Sequence, residues 1–375
     1  QLYIAKSLDL KAAEGESPEI RAPEVLEDYV FDFEMFPGFV KPLSATPVIM
    51  VNGTSGDVSV DITGFVINGI SVTPENSEYG ICGIAYLYAD GSIEDNEVKN
   101  IWGLPAEQGE SPYAIMNSIG IFAFSRSDVT VPGVIIHKNS IHDYTGVESY
   151  GIGIFGSGGK ATVTENTVTG ARSLEFPDQI GIYIYNAIAT VNDNIVSDHI
   201  YTESIAGWYA SGICVMDTNL TAEGNTLIGG GIWVTPGYGH PHSTAVIKNN
   251  TVDASGVYEE GCGPMAGIAL ITFPPFMPYP YEGEPSLTAT VEGNRFIGGP
   301  GSGIIVGGVP EVLAGWGFEP VGTVDATITR NNISGWEHGI KLLNCSNSTV
   351  YLNDFVNNTQ SVFVNESTNV YSSPE

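Results

Sequence analysis

The amino-acid sequence predicts an all-β chain, a right-handed parallel β-helix solenoid of roughly ten coils with long loop insertions. Three observations predict it. Apolar residues alternate with polar ones in short runs. A string centred on Asn returns again and again. A second string, led by Gly, alternates with the first, in a chain that holds 46 Gly among 375 residues.

The Asn string comes first. In "ATVTENTVTG", residues 161–170, Ala161, Val163 and Val168 follow a strand pattern around Asn166. Asn is disfavoured inside strands, so its recurrence needs a reason. The string returns with Asn96, Asn139, Asn194, Asn225, Asn250, Asn294, Asn331 and Asn353, each followed closely by Val, Ile, Leu or Phe. An earlier "ITGFVING" has Gly64 in the Asn slot. Asn331 and Asn353 stand 22 residues apart, Asn194 and Asn225 31, and Asn250 and Asn294 44. A fixed minimum period with variable insertions marks a solenoid. In a coil of three short strands, equivalent residues stack about 4.8 Å apart. An Asn at a turn can then adopt the left-handed conformation and bond to the Asn above and below, as in other Asn ladders. The repeated Asn is read as structural.

The Gly string follows: Gly120-Ile121, Gly151-Ile152, "GIYIY" from Gly181, "GICVM" from Gly212, "GIWV" from Gly231, "GIALI" from Gly267, "GIIV" from Gly303 and "GIKLL" from Gly339. The Gly column is read as marking tight corners. Insertions fall between the Asn string and the next Gly string at 102–117, 171–178, 199–209 and 254–265. Others fall between the Gly string and the next Asn string at 235–243, 272–286 and 307–321. Each group should emerge along one edge, where repeat proteins place their binding faces. No linker interrupts the repeat, so one domain over 1–375 is expected, with an irregular N-terminal coil and loops over 1–57 and repeat coils over 58–371.

The formal net charge is −30, with 13 Lys and Arg. Phosphate binding needs a basic face, which argues against a nucleic-acid partner. No stretch is long and apolar enough to span a bilayer. The first residue is Gln1, which points to a mature, exported chain after signal-peptide removal. Asn-x-Ser/Thr glycosylation acceptors stand at Asn52, Asn219, Asn249, Asn332, Asn344, Asn347, Asn357 and Asn365 and fit an extracellular or cell-surface location. Cys82, Cys214, Cys262 and Cys345 form no Cys-x-x-Cys pair. In an exported chain they are candidates for disulfides within or between copies. Alternation sends Ile213 and Val215 inward and Cys214 outward, where it can cross-link.

With the repeat in hand, a resemblance is plain. The opening "IAKSLDLKAAEGESPEI" resembles the start of the parallel β-helix repeat proteins, a group that includes pectate-lyase-like and NosD-like chains. The closing "NCSNSTVYLNDFVNNTQSVFVNESTNVYSS" resembles the last coils of NosD-like repeats in archaeal cell-surface proteins. The resemblance implies the β-helix fold. It leaves function open, because this fold hosts lyases, hydrolases, adhesins and structural proteins. Members usually carry a segment before the first strand, whereas here the strand begins at Leu2. The chain also ends soon after the last coil. A solenoid needs capped ends, so either loops such as residues 20–57 cover them or copies stack end to end or edge to edge, which would build a polymer.

Polygalacturonase-like enzymes carry an Asp-Asp pair, a Gly-His-Gly and an Arg-Ile-Lys. Here no Asp-Asp occurs, and "EHGIK" with His338, Gly339 and Lys341 sits at the usual Gly corner. Carboxylates recur beside the Asn column at Asp95, Glu165, Asp193, Glu223 and Glu292, but their offsets vary. They read as solvated residues and admit at most loosely bound calcium. His240 and His242 stand two apart around Pro241, a weak metal pair. The insertion "FPPFMPYPYEGEP" presents Phe273, Phe276, Tyr279 and Tyr281, read as an interface loop. Trp102, Trp208 and Trp316 sit in other insertions.

These readings converge on an exported, non-enzymatic β-helix without catalytic residues or a cofactor. It would assemble with copies of itself into a cell-envelope layer or sheath, with glycans as further partners. The alternative is a polysaccharide-active lyase or hydrolase, or a carbohydrate-binding β-helix using Tyr279 and Tyr281. A calcium- or copper-associated envelope factor is a third reading.

Overall fold

The computed structural model describes all residues except 25–28, 37–38, 71–80, 104–117, 125–132, 147–148, 171–178, 200–211, 237–241, 257–265, 273–283, 308–321, 346, 366, 368–370 and 373–375. The described residues form strands and turns, without a helix. Each repeat supplies a strand before the Asn, a strand after it and a strand led by Gly. Equivalent strands of successive repeats pair in parallel. This is the parallel β-helix that the repeat predicts. One antiparallel pair, Tyr29–Phe36 with the start of Phe39–Asn52, departs from the pattern.

The chain divides into two compact units, 1–187 with 198–200 and 188–197 with 201–375. In the first, Leu2–Ile4, Leu8–Lys11 and Glu19–Arg21 already pair in repeat register with the next coil. Its interior is built from stacks of β-branched residues. Val98 lies over Ile141 and Ile141 over Val168. Ile93, Ile136 and Val163 form a second stack, and Ile84, Ile121 and Ile152 a third. All nine are fully buried. In the second unit, Leu227, Val252, Phe296, Ile333 and Phe355 share one row. Ile232, Ile268, Ile304, Ile340 and Val362 share another. Branched side chains pack well on a pleated surface, and stacking them in register removes apolar area from water at every coil.

The three strand types differ in what they bury. Strands before the Asn alternate: Ser286–Glu292 buries Leu287, Ala289 and Val291 and turns its other residues outward. Strands at the Gly column do not. Ile81–Leu87 and Ser118–Phe124 are buried at every residue, the pattern of a parallel strand covered on both faces. Outward residues of this column include Phe122 and Phe155, whose rings lie 5.7 Å apart.

The structure corrects the reading of the Gly column. Gly120, Gly151, Gly303 and their equivalents do not have positive φ. They are glycines because the neighbouring stack leaves no room for a side chain. A Cβ on Gly151 would lie 2.2 Å from Val168 Cγ1, and one on Gly303 2.6 Å from Ile333 Cγ2.

The Asn turn is corrected in the same way. The left-handed residue is the one before the ladder Asn: Asp95, Lys138, Glu165, Asp193, Gly224, Asn249, Gly293, Arg330 and Leu352. Gly64 therefore occupies this left-handed slot, and Phe65 takes the Asn position.

Candidate functional site

The ladder Asn residues are buried. In the first unit, Asn96 Nδ2 donates to Asn139 Oδ1 at 3.1 Å and Asn139 Nδ2 to Asn166 Oδ1 at 3.0 Å. In the second, Asn194, Asn225, Asn250, Asn294, Asn331 and Asn353 continue in the same way, each link 2.9 Å long. The acceptor oxygen also takes the backbone N–H of the preceding Asn, as Asn294 Oδ1 does from Asn250. The amide nitrogen further donates to a strand carbonyl one coil back, as Asn294 does to Ile247. Each such amide thus satisfies its own groups and an otherwise orphaned backbone N–H, which is what permits its burial. The positive-φ residue before it turns the chain, and the amide ties that turn to its neighbours. A similar Asn is Asn358, which sequence reading missed. Its Oδ1 accepts from the Trp336 N–H and its Nδ2 donates to the Ile333 carbonyl. It sits beside an acceptor sequon rather than an Asn string, which hid it.

The carboxylates beside the column fall into two positions, which explains their varied offsets. Asp95, Glu165 and Asp193 are the left-handed residues themselves, while Glu223 and Glu292 end the preceding strand because Gly224 and Gly293 take the turn. Glu292 pairs with Lys248 at 2.9 Å and Arg330 at 2.8 Å. Its carboxyl is held below the usual range, first by the hydrogen bond from Lys248 and then by that from Arg330. Glu223 accepts from Asn249 Nδ2, and Glu165 lies 3.8 Å from Lys138. In the first unit Glu97 joins Lys99 at 2.6 Å and His142 at 3.2 Å, and Lys99 is the main cause of its lowered pKa. These charges are spread along the coils as local pairs. Among the described residues, no three His, Cys, Asp or Glu side chains are grouped as a metal would require.

A buried polar group inside the first unit was not foreseen. Tyr144 and His199 are in hydrogen-bond contact through Oη and Nε2, and Gln179 Nε2 donates to the Tyr144 carbonyl at 3.1 Å. Burial alone pushes His199 down to about 3, so it is neutral at physiological pH. Burial also pushes the Tyr144 hydroxyl well above its usual value. A neutral His and a protonated Tyr share a proton-bearing contact sealed from water, suited to holding coils together. In the fold Tyr144 and His199 each follow a left-handed Asp, Asp143 and Asp198, as Ile101 follows Asn100.

The cysteines depart from expectation. Cys82, Cys214 and Cys345 are free thiols and buried. The expected exposure of Cys214 is corrected: Ile213, Cys214 and Val215 are all buried, because the Gly-column strand is covered on both faces. Burial pushes the thiols of Cys82 and Cys214 well up, away from the reactive thiolate. Cys262 lies outside the described residues, as do His240, Trp208, Trp316 and the whole Phe273, Phe276, Tyr279 and Tyr281 loop. His242 is exposed and bonds Ser286 Oγ at 2.7 Å. His338 and Lys341 both lie against Phe363, the His ring edge-on at 5.2 Å and the Lys Nζ 5.7 Å from the centroid. Trp102 is exposed. Among the described residues no helix is long and apolar enough to cross a membrane.

By its fold this chain is a parallel β-helix repeat protein. Residues 284–375 match the sequence model of a family described as "Periplasmic copper-binding protein (NosD)". No curated protein matches the chain. Among solved structures it is similar to the Dettilon tailspike protein, with 11% sequence identity and a TM-score of 0.40. The match covers 94% of this chain and 60% of the tailspike chain.

Proposed function

We propose that this chain is an exported structural protein whose copies associate side by side into a cell-envelope layer or sheath. The observation that carries this reading is a low-charge face on the second unit. The strands before the Asn present several outward rows there, and two neighbouring ones carry little charge, beside a third row that holds Glu223, Lys248 and Glu292. One row runs Thr190, Thr221, Val246, Thr290, Thr327 and Thr349. The other includes Ile188, Asn219, Thr244, Thr288 and Asp325. Ile188 is 40% exposed. Asp325 is the one carboxylate in these rows. In a chain of formal net charge −30, copies repel each other wherever acidic surfaces meet. A face of Thr, Ile and Val escapes that repulsion, and loss of charge is the mark of an interface centre. Pleated faces of this kind pack about 10 Å apart. The likeness of residues 284–375 to a family named as periplasmic supports export.

The test is electron microscopy of the natively extracted protein beside a Thr221→Lys and Thr290→Lys double variant. Ordered layers or tubes from the native chain, and dispersed particles from the variant with an unchanged far-ultraviolet spectrum, are expected. A native chain that stays a 39.8 kDa monomer at all concentrations refutes the assembly.

A further inference from the structure

We propose that the last coils of the second unit carry N-linked oligosaccharides, in two patches at the corners of the coils. The proposal rests on the export reading above. The first patch is Asn332 and Asn357. Asn332 opens a strand and Asn357 follows the strand paired with it one coil on. The second patch is Asn344, Asn347 and Asn365. Asn344 donates its backbone N–H to the Asn365 carbonyl at 3.0 Å, so these two are neighbours on successive coils. All five are exposed. Asn344, Asn347 and Asn357 hold positive φ, at 46°, 59° and 56°, which marks them as turn residues rather than strand interior. Each heads an Asn-x-Ser/Thr acceptor in the sequence, and the Asn itself is open to solvent.

The other three acceptors have their side chains held by neighbours, Asn249 among them although it too is exposed and holds φ 55°. Asn52 is half-buried and its Nδ2 donates to Tyr3 Oη at 2.9 Å. Asn249 Nδ2, the atom that would carry the sugar, donates to Glu223 Oε1 at 3.0 Å. Asn219 is half-buried, and its Oδ1 takes both the backbone N–H and the hydroxyl of Thr244, at 2.9 and 3.0 Å. The buried ladder Asn residues head no acceptor at all.

The donor class is a polyprenyl-phosphate-linked oligosaccharide. The Asn side-chain nitrogen forms a bond to the anomeric carbon of the first sugar. The bond from that carbon to the phosphate oxygen breaks, the lipid phosphate leaves with the electron pair, and one amide proton passes to a base of the transferase. The amide is retained in the product, and no oxidant or reductant enters. The result is a hydrated coat on the last coils, which reaches the end of the low-charge rows at Asn347, two residues before Thr349.

Glycopeptide mapping of the full chain from its native host, with intact mass, tests this. Glycans in both patches and none on Asn52, Asn219 or Asn249 are expected. Thr359→Ala, which removes the Asn357 acceptor and leaves the Asn in place, should lower the intact mass by one glycan and abolish that glycopeptide. Ser334→Ala should do the same for Asn332, and serves where the first variant fails to fold. Protease treatment of intact cells separates this proposal from the reading beneath it. A chain that is cleaved from outside but bare at either patch refutes the glycans and leaves export standing. A chain that stays inside the cell and is bare refutes both. Glycans on Asn219 or Asn249 with bare patches also overturn it.

Discussion

The strands before the ladder Asn and the strands at the Gly column belong to the same coils and stack with the same parallel register. They bury their residues in opposite ways. Ser286–Glu292 alternates and leaves Thr288 in solvent, whereas Ser118–Phe124 has no exposed residue. The ladder lies between the two behaviours. It is polar, yet as buried as the Ile stacks. The difference teaches that a polar residue enters this interior when the coil repeat gives it a partner at a fixed height, and that an apolar residue outside the coil can still be core.

The largest expected effect breaks the ladder. Asn294→Ala removes the acceptor of the Asn250 backbone N–H and side chain, and the donor to Asn331. A buried donor left unmet costs about 1–3 kcal/mol, with about 1 kcal/mol for each further bond lost, so a total of about 3–5 kcal/mol is expected. Thr288→Ala, on the alternating strand, should change stability by less than about 0.5 kcal/mol. Urea unfolding of the two variants measures the contrast. Equal costs would mean the ladder is not what holds the turn.

The second effect is pH-dependent. His199 has a folded pKa of about 3, below the unfolded value of about 6.5. The folded state therefore resists the proton that the unfolded state accepts. This contribution is complete above about pH 6.5 and is lost progressively as pH falls toward 3, at up to about 1.4 kcal/mol per pH unit. Melting temperature followed from pH 7 to pH 4 should fall, and His199→Phe should flatten that part of the fall. An unchanged slope in the variant would place the acid sensitivity on other groups.

A smaller effect tests the Gly column. Gly151→Ala places a Cβ 2.2 Å from Val168 Cγ1, and overpacking of this kind costs about 1–3 kcal/mol. Adding Val168→Ala should recover part of the loss, because it removes the blocking methyls. Additive costs for the pair would place the obstacle on the Gly181 carbonyl oxygen, 2.8 Å from the same Cβ, instead.

The coil was legible because its two markers are local. The Asn recurs where a turn needs its amide, and the Gly recurs where a stack needs space. The reasons behind them were not legible. A sequence shows that Gly120 and Gly151 repeat, but not that Ile141 and Val168 press on them from another strand. Likewise "GICVM" reads as alternating, and Cys214 as outward. The strand is buried on both faces, and alternation within it does not announce that. His199 and Tyr144 escaped because they are far apart in sequence and belong to different strings, and meet only after the coils wind.

The smallest effect concerns charge outside the coil. The Lys248, Glu292 and Arg330 group resembles a site on paper, with two cations on one carboxylate. Arg330 is 59% exposed in its side chain, so water and salt screen it. Exposed pairs of this kind contribute little to stability. Arg330 also holds the left-handed turn position, at φ 55°. The two roles oppose each other under substitution. Arg330→Gly loses the ion pair but relieves the positive φ, and Gly already fills the equivalent turns at 224 and 293. Arg330→Ala loses the pair and keeps the strain. The Gly variant should therefore be the more stable of the two by a few tenths to about 1 kcal/mol. Raising the salt should narrow the gap between the native chain and both variants equally. An Ala variant as stable as the Gly variant would show that the left-handed turn costs nothing here, and the alternation of Asp193, Gly224, Asn249 and Gly293 along this edge would then need another cause.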